Sequence, residues 1–75
     1  MNTHLLDAKG LACPLPVLRA RKLLKALAPG EILDVEATDP GAPKDFRAFC
    51  EASGNRLLLA EETGGIFRFR IERGG

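Results

Sequence analysis

Ile66-Phe67-Arg68-Phe69-Arg70-Ile71-Glu72 alternates apolar with charged side chains without a break. Successive side chains of a strand point to opposite faces, so Phe67, Phe69 and Ile71 share one face and Arg68, Arg70 and Glu72 the other. A sheet built on such a strand is covered by the core on one side and meets solvent or a partner on the other. Residues 56–62 form a second strand, separated from the first by only Thr63-Gly64-Gly65, a connection that demands an antiparallel hairpin. Upstream, residues 31–37 alternate Ile32, Leu33, Val35 and Ala37 with Asp34 and Glu36, and this half-buried strand closes at the Thr38-Asp39-Pro40-Gly41 turn. Residues 4–8 are a shorter strand that runs into the Lys9-Gly10 turn. A first helix extends from Pro14 or Pro16 to about Leu27, where Pro29-Gly30 stops it. A second starts at Pro43 and runs to about Ser53, with Gly54-Asn55 as its stop. The order βαβαββ predicts an α/β two-layer sandwich, two helices on one face of a mixed four-stranded sheet.

At 75 residues the chain is read as one domain over 1–75. A domain of this size hides only about 60 to 65% of its unfolded surface, which leaves room for one core. With 45% hydrophobic residues and four aromatics, that core must be Leu, Ile, Val and Ala packed around Phe46, Phe49, Phe67 and Phe69. Eleven Lys and Arg against ten Asp and Glu leave a formal charge of +1, far from the basic excess that phosphate neutralisation demands, so no direct nucleic-acid partner is expected. Arg68 and Arg70 accordingly read as a solvated face rather than a phosphate site. No apolar run reaches the roughly 18 residues of a membrane span, and Met1 to Lys9 lacks the regions of a signal peptide, so a cytoplasmic protein is expected. There Cys13 and Cys50 should be free thiols, and two cysteines with one histidine make no zinc pattern; neither cofactor nor metal is implied.

Cys13-Pro14-Leu15-Pro16 places a thiol at the mouth of the first helix, just after Gly10. Unpaired backbone N–H groups and the positive end of the helix dipole there favour thiolate over thiol. Pro14 and Pro16 cost little in a first turn, fix φ near −65° and remove two donors, leaving the amides of Leu15 and Val17 to face the sulfur. Pro16 also disfavours helical geometry at Leu15, which allows a start one turn later. Because proline occupies position 16, no local Cys-x-x-Cys disulfide can close, and whatever Cys13 accepts must leave on another molecule. Cys50 shares an apolar helical face with Phe46 and Phe49 and reads as a small buried hydrophobe. His4 has no carboxylate at diagnostic spacing, and Asp7, Asp39 and Asp45 read as caps or loop braces.

On a wheel of about 100° per residue, Val17, Ala20, Leu23, Leu24 and Leu27 of the first helix form the core stripe. Leu15 and Leu18 fall instead among Arg19, Arg21, Lys22 and Lys25. Either neighbouring loops half-cover these two leucines, or Leu15, Leu18, Arg19 and Lys22 form an apolar centre with a cationic rim that docks a protein.

The run Leu6-Asp7-Ala8-Lys9-Gly10-Leu11-Ala12-Cys13-Pro14-Leu15-Pro16 resembles the signature of the TusA/SirA-like sulfur-carrier family, L-D-x-x-G-x-x-C-P-x-P. The likeness continues through Pro29-Gly30-Glu31, Asp39-Pro40, Asp45, Phe49-Cys50, Glu62-Thr63 and Gly65 to Gly74-Gly75. The resemblance implies a βαβαββ sandwich like the C-terminal domain of a translation initiation factor. It also implies a sulfurtransferase-type carrier whose Cys13 takes sulfane sulfur as a persulfide from a cysteine desulfurase or rhodanese and relays it to an acceptor protein. Branches of the family serve tRNA 2-thiouridylation, sulfur oxidation or molybdenum-cofactor assembly. The position between the prolines is often acidic in the tRNA branch and is Leu15 here, so the branch stays open. A peroxidatic or disulfide-exchange thiol is disfavoured by Pro16 in the resolving position, and two other readings compete with the relay. One is a regulatory or interaction module docking through the first helix. The other is a carrier that uses Gly74-Gly75 as ubiquitin-like carriers use their C-terminus, against which stand the strand order and the usual mobility of a short glycine tail.

Overall fold

In the computed structural model, which describes residues 3–75, the elements are β1 (Thr3–Ala8), α1 (Leu15–Ala26), β2 (Ile32–Ala37), α2 (Ala42–Ser53), β3 (Arg56–Thr63) and β4 (Ile66–Glu72). The readings that involve Met1, a single domain over 1–75 and the lack of a leader, extend to residues 1 and 2 outside the described residues. The strands form one four-stranded sheet in the order β1-β2-β4-β3. β1 and β2 run parallel, joined by the α1 crossover, and β4 pairs antiparallel with both β2 and β3. α1 packs on β1 and β2, α2 packs on β3 and β4, and the helices touch each other. This is the mixed sheet with two helices that the element order predicts.

Alternation decides which side the helices cover. Leu33, Val35 and Ala37 of β2 and Phe69 and Ile71 of β4 are buried beneath the helices. Phe46 from α2 is fully buried and stacks on Phe69 with ring centroids 4.5 Å apart, which makes this pair the centre of the core. Phe49 and Phe67 only border it. Along α1 the buried side chains are Pro16, Ala20 and Leu24, spaced by four. Leu23, expected in the stripe, is 39% exposed. At about 100° per residue it lies about 60° from Ala20, at the edge of the face that Pro16, Ala20 and Leu24 define. Val17 and Leu27 border the core as the stripe requires.

The uncovered face carries charge in rows. Arg70 reaches across to Asp34 with two hydrogen bonds, Nε to Oδ1 at 2.8 Å and Nη2 to Oδ2 at 3.0 Å. Arg68 Nε donates to Glu36 Oε2 at 3.1 Å, and Lys9 Nζ meets Glu36 and Asp7 at 2.9 and 3.1 Å. The sheet's own carboxylates thus answer these arginines, in keeping with a solvated face. Partly exposed pairs of this kind add little to stability. Arg70→Ala is therefore expected to leave the urea midpoint close to the parent's, measured by far-UV circular dichroism.

Two features depart from simple alternation. A β-bulge between Leu57 and Leu59 puts Leu57 opposite Ile71 on the helix side and Leu59 opposite Arg70 on the open side, leaving Leu58 and Leu59 46% and 42% exposed. The end of the chain is also tied down, against the expectation of a mobile glycine tail. Arg73 exchanges backbone hydrogen bonds with the 30–31 segment, and Gly74 N–H donates to Asn55 Oδ1 at 2.9 Å. A Cβ on Gly74 would lie 2.2 Å from the Gly54 carbonyl oxygen, so only glycine fits there.

Candidate functional site

Parallel pairing of β1 and β2 brings their carboxyl ends together, and α1 and α2 both begin beside that edge. In open α/β sheets this is where loops gather functional groups. Gly10 turns the chain out of β1 with φ +82°, a conformation that favours glycine, and its N–H donates to Thr38 Oγ1 beyond β2 at 2.9 Å. Leu11 N–H returns to the Ala8 carbonyl at 3.2 Å, and Leu15 N–H to the Ala12 carbonyl at 2.9 Å. Cys13 and Pro14 form the crest of the second of these turns, joined by a cis peptide bond. Pro16 is buried at the head of the α1 core stripe and anchors the loop, while Cys13 and Pro14 stay exposed.

The electrostatics of Cys13 differ from the sequence reading. The Leu15 amide is engaged by Ala12 and does not face the sulfur. Cys13 Sγ instead donates its hydrogen to Asp45 Oδ2, in the first turn of α2. That hydrogen bond, then desolvation, then the negative charges of Asp45 and Asp39, push the thiol up to about 11. The expected thiolate at a helix mouth is therefore corrected. A carboxylate that bonds the S–H opposes the dipole of α1 and favours the thiol over the thiolate.

Asp39 and Gly41 complete the surroundings. Asp39 Oδ2 accepts the Gly41 N–H at 2.8 Å and its carbonyl accepts the Ala42 N–H at 3.0 Å, which braces the turn that leads into α2, whose N-cap Gly41 makes no side-chain cap bond. A Cβ on Gly41 would stand 3.6 Å from Cys13 Sγ and 3.0 Å from Asp39 Oδ2. Lacking one, Gly41 keeps a flank of the sulfur open. Sequence spacing could not reveal these neighbours, because Asp45 lies 32 residues from Cys13. The quoted resemblance did include Asp39-Pro40 and Asp45, and that was the available signal.

The structure places the other candidate residues as follows. Leu15 and Leu18 are 44% and 48% exposed, not covered by loops, and Arg19 and Lys22 flank them on the same outward side of α1. This strip continues directly from Cys13. Cys50 is 5% exposed in the core, where burial pushes its thiol up. His4 sits at the far end of β1, 3.6 Å from Glu31, away from the sulfur.

Comparison with known proteins bears on this arrangement. The family model described as sulfurtransferase TusA matches residues 4–73. The sulfur carrier protein TusA of Allochromatium vinosum is 54% identical over 68 residues, covering 91% of this chain and 90% of that one. A putative sulfur carrier protein of Neisseria meningitidis serogroup A is 50% identical over 72 residues, 96% of this chain and 97% of its own. The putative sulfur carrier protein YrkI of Bacillus subtilis is 46% identical over 73 residues, covering 97% of each chain. The crystal structure of a SirA-like protein from Desulfitobacterium hafniense superposes with a TM-score of 0.80 at 29% identity, with both chains fully covered.

Proposed function

The chain belongs to the TusA family of sulfur carriers, and from that premise we propose that Cys13 carries sulfane sulfur as a persulfide between two protein partners. The observation that supports this most is the isolation of an exposed thiol. The only other cysteine of the chain, Cys50, is enclosed in the core, so sulfur taken by Cys13 has no internal acceptor. It leaves on a second molecule, which is what distinguishes a carrier from a dithiol redox protein.

In this reading a cysteine desulfurase or rhodanese in the cytoplasm presents a persulfide to Cys13, and a downstream protein thiol removes the outer sulfur. The acceptor serves tRNA thiolation, sulfur oxidation or molybdenum-cofactor assembly. The partner is read as protein and not nucleic acid, which the pairing of Arg68 and Arg70 with Glu36 and Asp34 supports. Gly10, Pro14 and Pro16 hold the thiol at the crest of its loop, and Leu15, Leu18, Arg19 and Lys22 receive the partner.

Incubation with a cysteine desulfurase and free cysteine tests this directly. Intact mass should rise by about 32 Da, one sulfur atom, and the added sulfur should map to Cys13. Docking has its own test. Leu18 lies at the centre of the exposed strip and does not touch the sulfur, so Leu18→Glu should slow loading from the enzyme donor about tenfold, as loss of one apolar contact predicts. Loading from a small-molecule persulfide should stay at the parent rate. Equal loss with both donors would show that Leu18 acts on the thiol or the fold and not on docking. If Leu18→Glu failed to complement a gene deletion and Cys13→Ser complemented it fully, the interaction-module reading would replace the relay.

A further inference from the structure

A carrier thiol must lose its proton when it takes sulfur, and the structure supplies one obvious place for that proton to go. Asp45 approaches Cys13 from α2, a different element from the loop that bears the thiol, and its Oδ2 accepts the S–H. The β2–α2 turn that fixes Asp45 is itself held, through the Asp39 bonds to Gly41 and Ala42 and the bond from Asp45 N–H to the Gly41 carbonyl at 3.1 Å. Gly41, in the same turn, has no Cβ to crowd the sulfur, where one would stand 3.6 Å from Sγ, and Cys13 is exposed. The exposed thiol thus has a base beside it and room for an incoming group. Asp45 is half-buried, and the charged groups acting on Cys13 are Asp45 and Asp39, both acidic.

We propose that Asp45 is the proton acceptor for sulfur uptake by Cys13, and that it relays this proton to the leaving sulfur of the donor. The inference rests on the persulfide reading above. The donor is a protonated persulfide, R–S–S–H. Cys13 Sγ attacks its outer sulfur as the Cys13 proton passes to Asp45 Oδ2. The bond between the two donor sulfurs breaks, the inner sulfur leaves with the bonding pair as R–S⁻, and it takes the proton from Asp45. The products are Cys13–S–S–H and R–S–H, with Asp45 again a carboxylate. No net oxidation occurs, and the same residue runs the reverse sequence in delivery: an acceptor thiol gives its proton to Asp45, its sulfur takes the outer sulfur, and the departing Cys13 recovers the proton from Asp45.

The arrangement has two consequences that pull in opposite directions on Asp45→Asn, and this makes the proposal testable. Removing the carboxylate removes the chief cause of the raised thiol. Cys13 should then titrate nearer the ordinary range of about 8.5, and alkylation by iodoacetamide at pH 8 should accelerate at least tenfold. Uptake of sulfur from glutathione persulfide at pH 7 should nevertheless slow by about 100-fold, the usual scale for loss of a positioned base. Asp45→Glu should recover part of the uptake rate, and it guards against a folding defect in the amide variant. The proposal is overturned if Asp45→Asn takes up sulfur as fast as the parent or faster, since Asp45 would then only suppress the thiol. It is equally overturned if the alkylation profile of Asp45→Asn matches the parent's, because the contact would be absent in solution. Either result leaves the carrier reading intact. That reading fails separately, if Cys13→Ser acquires sulfur from the same donor.

Discussion

Phe46→Ala is expected to cost about 3–5 kcal/mol, the largest loss of stability that any single truncation in this chain should produce. Three observations lead to that figure. Phe46 is fully buried, its ring stacks on Phe69 at 4.5 Å, and it lies where α2 meets the sheet. A chain with four aromatics has no second large side chain to close the cavity. A small domain starts from about 5 kcal/mol of stability, at the low end of the usual range, so the variant should retain only about 0–2 kcal/mol at room temperature. Urea titration followed by circular dichroism, with Phe49→Ala as comparison, checks this. Phe49 only borders the core and should cost clearly less. Equal losses at both positions would mean that the Phe46–Phe69 stack is not the centre of the core.

Cys13→Ser should abolish sulfur loading while leaving the fold intact. The exposed serine hydroxyl can still donate to Asp45, so loop and helix keep their contact. What is lost is a sulfur atom able to attack a persulfide and hold its outer sulfur, chemistry that a hydroxyl does not perform at neutral pH. Cys50→Ser should do the opposite. It puts a hydroxyl among apolar side chains, which costs about 1–3 kcal/mol, and leaves loading at the parent level once folding is ensured. Intact mass and urea midpoints on the two variants separate the chemical cysteine from the structural one.

How much the sequence discloses depends on the range of the interactions. The hairpin, the mixed sheet with two helices and the uncovered charged face follow from alternation and short connections, and they appear in the structure as read. Three consecutive leucines, Leu57 to Leu59, carry no alternation, and so the bulge that turns Leu59 to the open side was hidden. Leu23 failed for a related reason. A stripe drawn on a wheel has no edge until a partner surface sets one, and here the buried face keeps its centre at Ala20 but ends short of Leu23. The candidate site divides in the same way. Gly10, Cys13, Pro14 and Pro16 lie within one seven-residue stretch and are legible there. The state of the thiol was not, because it is set by Asp45, which only the pairing of β1 with β2 and the start of α2 bring alongside. Local dipole reasoning therefore pointed toward thiolate, and a tertiary contact reversed it.

A two-stage mass measurement tests the central reading most directly. The protein is loaded from a cysteine desulfurase with free cysteine, separated from the donor, and then given an acceptor protein thiol. The carrier reading predicts a gain of about 32 Da confined to Cys13, followed by its loss from the chain and a matching gain on the acceptor. Sulfur that loads equally on Cys13→Ser, or that stays on the chain when the acceptor is present, would contradict it.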